Sequence, residues 1–148
     1  MDIGNDALEA VRAHADLWVC SDSPDAADTV LAATGGAGAD VVLEFVGVDV
    51  TLRLDADMVA LYGTIRIVGQ GGGHLSLQAD PLTSLPWGVT VVARPYSGSF
   101  MDLRQAVALA RSGDLAPTVT RYPFDQALVA IDDLAAGRIH GRARLVFS

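Results

Sequence analysis

Apolar and polar positions along the chain fall into two kinds of segment. Four short runs, 16–20 (DLWVC), 41–46 (VVLEFV), 64–68 (TIRIV) and 89–93 (VTVVA), are rich in β-branched residues and too short to be helices, so they predict strands. Between them the pattern widens to helical spacing. Residues 23–34 predict a helix with Ser23 as N-cap and Pro24 at the first helical position, and residues 49–62 predict another, ended by Gly63. Near-continuous apolar strands separated by helices predict a parallel sheet covered on both faces, because each parallel pair needs a crossover that lands on a face. The fold class is α/β.

The later third continues the alternation. Residues 99–112 predict a helix in which Ser99 caps the start and Asp102, three residues on, meets the N-terminal dipole, with Leu103, Val107 and Ala110 on one face. Residues 117–124 (PTVTRYPF) read as a strand. A helix over 125–136, with Leu128, Ile131 and Ala135 toward the core and Gly137 as terminator, leads to a last strand in 141–148 (GRARLVFS).

Composition narrows the function classes. With 148 residues, 51% of them hydrophobic, the chain has one domain's worth of length and ample apolar surface for a core. Its apolar stretches are broken by charges or glycines well before the ~20 residues a membrane span needs, and no signal-peptide pattern opens it, which points to a cytoplasmic protein without a membrane partner. A net charge of −8, with ten scattered arginines as the only basic residues besides three histidines, argues against nucleic acid. Cys20 is the single cysteine and reads as a small buried hydrophobe; the distant histidines form no metal-ligand cluster.

Two glycine clusters sit at turns. The stretch 33–40 (ATGGAGAD) follows a helix and precedes a strand, the reverse of the order a phosphate loop requires. The stretch 68–74 (VGQGGGH) follows a strand, but His74 takes the sixth position and no helical pattern follows, so the GxGxxG dinucleotide fingerprint is not met. Gly69 at a strand's carboxyl end is either ligand-facing, since ligands of open α/β sheets lie there, or part of a plain flexible turn. Glu44 inside an apolar strand reads as a hydrogen-bonded structural group rather than an acid catalyst. Trp18, Trp87 and Phe100 have no predicted task beyond packing.

Together, the segments GGAGADVVLEFVGVDVTL, YGTIRIVGQGGG, RPYSGSFMDLRQAVALARSGDL and YPFDQALVAIDDLAAGRIHGRARLVFS resemble the C-terminal half of a zinc-dependent alcohol dehydrogenase of the medium-chain dehydrogenase/reductase family. The resemblance covers essentially the whole chain. It implies a truncated Rossmann-like parallel sheet flanked by helices, lacking the first βαβ unit and the GxGxxG turn. Residues 1–115 would be a partial NAD-binding domain, and 116–148 the tail that in the family returns to the catalytic domain. Zinc, with its ligands, would belong to that missing catalytic domain.

The resemblance also implies site residues. Asp2, in the opening MDIGNDALEAVRAHAD, aligns with the acid that binds the adenosine ribose at the end of the family's second strand, and such an acid favours NAD over NADP. Phe45, Val46 and Gly47 resemble the segment lining the coenzyme near its ribose and phosphates. Val68 and Gly69, then Pro95, Tyr96 and Ser97, resemble stretches that meet the nicotinamide. Arg142 resembles the arginine reaching the pyrophosphate, or is an exposed charge. No catalytic residue is implied in this half.

Two function classes follow. One is part of the coenzyme cradle of an NAD-dependent alcohol dehydrogenase-like oxidoreductase, inactive alone. The other is a non-catalytic binding or assembly module, or one half of a split protein completed by a second chain. In the sheet, the surviving strands at 17–20 and 41–46 are expected to become neighbours in a four-stranded parallel core, or a second copy to supply the missing edge. The resemblance further implies self-association through the strand spanning residues 89–96.

Overall fold

The computed structural model describes residues 1–77, 85–95 and 98–147. They form two compact units, Met1–Tyr96 and Ser97–Ser148. Both are α/β with parallel strands, as the hydrophobic pattern predicts.

In the first unit, helix α1 (Asn5–Val11) is followed by α2 (Ala26–Ala33), strand β1 (Ala39–Glu44), α3 (Asp49–Met58), β2 (Val59–Ile67) and β3 (Thr90–Ala93). The strands pair in parallel in the order β1-β2-β3, with α3 as the crossover from β1 to β2. Ile65 at the middle of the central strand is fully buried, and Val42, Met58 and Val59 surround it. Ala27 and Val30 of α2 and Leu54 of α3 pack against this cluster. Burying one aliphatic side chain of this size contributes about 1.5 to 3 kcal/mol, so this small cluster is what the short strands depend on.

Three predicted elements differ from the structure. The expected strand at 16–20 is reduced to a single parallel bridge between Asp2 and Cys20, and it does not pair with β1. Of that run only Val19 is buried; Leu17 and Trp18 are exposed, with the Arg12 guanidinium over the Trp18 ring at 4.5 Å. The expected four-stranded core is therefore a three-stranded sheet among the described residues. The helix predicted over 49–62 stops at Met58. Val59 turns to an extended conformation and pairs with Ala39, and then the register jumps to Val41 opposite Thr64. The extra residues include Tyr62, at φ 59°, whose N–H donates to the Trp87 carbonyl at 2.8 Å. Helical spacing ran on through VALY, but β-branched Val59 has a strand partner and is buried, so tertiary pairing overrides propensity. Helix α2 begins at Ala26 rather than near Ser23, because the Ser23 carbonyl accepts from Ala26 N–H in a preceding turn.

The second unit holds α4 (Phe100–Ser112), β4 (Val119–Pro123), α5 (Ala127–Ala135) and β5 (Arg142–Val146), with β4 and β5 paired in parallel. The start of α4 is a reciprocal cap: Asp102 N–H donates to Ser99 Oγ at 3.2 Å and Ser99 N–H donates to Asp102 Oδ2 at 2.5 Å. Gly113 at φ 89° closes the helix. On α5 the predicted inward face is not the one observed. Leu128 and Ile131 are 76% and 60% exposed, whereas Ala130 is buried, one turn from Asp133, which accepts from the Tyr122 hydroxyl at 2.8 Å and from Arg138 Nε at 2.8 Å. A hydrogen-bonded Tyr–Asp–Arg cluster and a small alanine thus set the rotation of α5 over β4. Trp87 and Phe100 are exposed rather than packed.

One buried polar pair ties α3 to β1. Glu44 is 5% exposed and Asp55 3% exposed, and the charge of Glu44 acts on the Asp55 carboxyl. Burial, then the charge and hydrogen bond of Glu44, push Asp55 up from 3.8 to about 7. Its Oδ2 has no partner among the described residues. An unfolded Asp releases its proton near 3.8 and the folded one near 7, so in that window the folded state binds more protons and stability falls as pH rises. Asp55→Asn keeps the shape with a permanent donor. Denaturant melts at pH 5 and pH 8 are expected to show it more stable than wild type by about 1 to 3 kcal/mol at pH 8 and nearly equal at pH 5. The same stability difference at both pH values would contradict a proton held by folded Asp55.

Candidate functional site at the carboxyl rim of the sheet

The three parallel strands end level with one another: Glu44 of β1 lies opposite Ile67 of β2, and Ile67 opposite Ala93 of β3. Beyond this line two loops begin. The first, Phe45-Val46-Gly47, turns into α3. It is clasped by Glu44, whose Oε1 accepts from Val46 N–H at 2.5 Å and from Gly47 N–H at 2.7 Å. The second loop, Val68 to His74, runs alongside it.

The two loops are joined backbone to backbone. Val68 N–H and Gly69 N–H both donate to the Glu44 carbonyl, at 2.7 and 2.9 Å, Gly71 N–H donates to Val46 at 2.9 Å, and Gly73 N–H to Gly47 at 2.8 Å. His74 N–H then donates to Asp49 Oδ1 at 2.6 Å, and that bond holds the Asp49 carboxyl below its usual range. The glycines permit this approach. A Cβ on Gly69 would collide with the Val46 backbone and one on Gly73 with Val48 and Asp49, while Gly47 sits at φ 76°. Asp49 also answers a functional question. With its carboxylate at the first turn of α3 and bonded to His74, the positive end of that helix is already met by a negative charge and is not a free phosphate site.

Above these loops lies a cleft of about 470 Å³, within the ~300 to 1,000 Å³ range of small-molecule sites. Gly47, Gly69, Gly72 and Gly73 with Leu52, Ile67 and Val91 form much of its wall, and Gln70 and Arg94 also line it. The wall is therefore apolar with exposed peptide groups, suited to a flat, weakly polar ring rather than to acid–base chemistry.

The structure brings five of the sequence-predicted residues together here: Phe45, Val46, Gly47, Val68 and Gly69, of which Gly47 and Gly69 line the cleft. Pro95 follows Arg94, whose N–H extends the β2–β3 ladder to the Ile67 carbonyl at 2.9 Å. Tyr96 and Ser97 lie outside the described residues. Asp2 is held by its bridge to Cys20, and its Oδ1 accepts from Gly4 N–H at 2.8 Å. Arg142 belongs to the second unit, where it opens β5 and its Nη1 donates to the Gly141 carbonyl at 3.2 Å. Glu44 is the hydrogen-bonded structural group the sequence suggested. Gly69 makes the close backbone approach described above while also lining the cleft.

Sequence reasoning missed Asp55, Asp49 and Arg94. Asp55 carried a usable signal, since it falls three residues after Leu52 and beside Ala56 on the buried face of α3. The bond from Asp49 to His74 spans 25 residues and left no local trace. Among the described residues no group of three His, Cys, Asp or Glu side chains converges as a metal site, so the residues here do not form a zinc centre.

Comparison with known proteins agrees with this geometry. The family described as zinc-binding dehydrogenase matches residues 10–143. The chain is 31% identical over 122 residues to D-arabinose 1-dehydrogenase (NADP(+)) of Saccharolobus solfataricus, covering 82% of this chain and 34% of that protein. It is also 31% identical to an NAD-dependent alcohol dehydrogenase of Sulfurisphaera tokodaii, over 99% of this chain and 42% of that protein. The crystal structure of the alcohol dehydrogenase from Aeropyrum pernix superposes with a TM-score of 0.82 at 27% identity, covering 98% of this chain and 41% of the other. The chain thus spans about two fifths of the length of such relatives, and across that span sequence and fold agree: it belongs to the zinc-binding dehydrogenase family.

Proposed function

We propose that this chain forms part of the coenzyme cradle of an NAD-dependent, alcohol dehydrogenase-like oxidoreductase, with the nicotinamide end of the coenzyme in the cleft at the carboxyl rim. The observation that carries this reading is the glycine-walled cleft lying beyond the level ends of three parallel strands, where open α/β sheets bind their ligands. When bound, the coenzyme supplies hydride acceptance or donation at its ring. The chain's own contribution is to hold the ring flat against Ile67 and Val91 and to offer the peptide groups of Gly47 and Gly69 to its polar edge. Asp2 supports NAD over NADP, since its exposed carboxylate would repel a 2′-phosphate.

The reading includes completion by further polypeptide. Val41 and Leu43, alternate positions on β1, and Phe45 just past its end are exposed, and β1 has one strand neighbour among the described residues. It also includes self-association through β3, an edge strand of its sheet. Light scattering of the purified chain at tens of micromolar is expected to return at least twice the chain mass; a clean monomer would remove this part of the proposal.

Affinity for the whole dinucleotide is expected to be low. The 148 residues hold no GxGxxG turn opening a helix, and the α3 N-terminus is taken by Asp49. A few hydrogen bonds of about 1 kcal/mol each do not offset the entropy of ordering a long flexible ligand. Isothermal titration of NAD into the chain is expected to give a dissociation constant weaker than roughly 1 mM, and no alcohol oxidation. Micromolar binding would mean that a complete phosphate site exists within these residues.

A further inference from the structure

Arg94 differs from the other arginines of the chain in two respects. It is the only charged side chain among the described residues lining the cleft. It also holds a left-handed backbone at φ 54°, a conformation shared by only one other described non-glycine residue, Tyr62, which sits in the β2 irregularity. A glycine would adopt this conformation without a Cβ penalty, so the arginine is present despite its backbone. Its backbone is held at the end of the ladder, because its N–H is bonded to the carbonyl of Ile67, itself a cleft residue. Its guanidinium makes no ion pair or hydrogen bond among the described residues, whereas Arg12 and Arg138 are paired with carboxylates. Unpaired arginines at an open surface are ordinary; Arg94, though exposed, also lines a cleft whose other described residues are uncharged, in a chain of net charge −8.

We propose that Arg94 is the anion-binding residue of this cleft, its planar guanidinium receiving two oxygens of a phosphate or carboxylate carried by the ligand. The geometry of that donor suits either group. This deepens the reading of the cleft as coenzyme-facing and rests on it, with two sources for the anion: a phosphate of the coenzyme, or a carboxylate on the alcohol substrate. In either case Arg94 selects ligands by charge, a property the apolar wall cannot supply.

The test is an NMR titration of the full 148-residue chain, following backbone amides and the arginine Nε–Hε resonances. The probes are inorganic pyrophosphate, lactate as a short 2-hydroxycarboxylate, and nicotinamide riboside, which carries no anionic group. Pyrophosphate or lactate is expected to shift the Arg94 Nε–Hε signal and the Ile67 and Gly69 amides saturably. Arg94→Gln should weaken that binding at least tenfold, Arg94→Lys by less, and Arg111→Gln not at all. Arg94→Gly should lose anion binding while melting a few degrees higher, because glycine relieves the backbone; this variant guards against loss of fold as the explanation. A stronger response to pyrophosphate assigns the anion to the coenzyme, and a stronger response to lactate assigns it to the substrate. Nicotinamide riboside tests the underlying reading separately: equal shifts of Gly69 in wild type and Arg94→Gln support the ring site, and no shift removes it while leaving the anion site standing on the other probes. Neither anion moving the Arg94 signal, or Arg94→Gln binding as tightly as wild type, would overturn the proposal.

Discussion

The rim of this sheet depends on one side chain. Glu44 ends β1, and its carboxylate turns back to take the N–H groups of Val46 and Gly47 while its carbonyl takes those of Val68 and Gly69. Four backbone donors that would otherwise have no strand partner beyond the sheet are thereby satisfied at one residue. Leaving a single such group buried and unpaired costs about 1 to 3 kcal/mol, comparable with a sizeable part of a small domain's stability. Asp55 of α3 is buried beside this acid, and its own carboxyl is pushed up to about 7 by that burial and by the charge of Glu44.

From that clasp the rest of the site follows. Once Val46 and Gly47 are turned inward, the loop after β2 can lie against them only if its own residues lack side chains on the facing side, which is what Gly69, Gly71 and Gly73 provide. The glycines are thus a packing requirement first, and the exposed peptide groups in the cleft wall are its by-product. A pocket built this way is largely apolar, and among the described residues its single charge comes from Arg94, just past β3.

Much of this was legible in the sequence, for reasons that differ by element. The runs at 41–46, 64–68 and 89–93 declared themselves because they are apolar, β-branched and too short for helices, and Ser99 with Asp102 declared the start of α4 because a reciprocal cap is a local motif. The end of α3 did not, since its stop is set by the pairing of Val59 with Ala39, twenty residues away in sequence. The run at 16–20 misled because apolar residues at a surface, with Trp18 under Arg12, look the same in sequence as a strand. The glycine segment after β2 reads in sequence as either ligand-facing or a plain turn, because the side each glycine faces is decided by the ladder to β1.

The central claim is that the Glu44 carboxylate holds the two rim loops together, and amide hydrogen exchange at Gly69, Gly71 and Gly73 tests it most directly. In the wild-type chain these three amides are predicted to exchange slowly and together. In Glu44→Ala they should lose protection together while Ile65 and Val91 in the strands stay protected, and Glu44→Gln, which keeps an acceptor oxygen, should fall between the two. Unprotected glycine amides in the wild type, or protection unchanged in Glu44→Ala, would contradict the account.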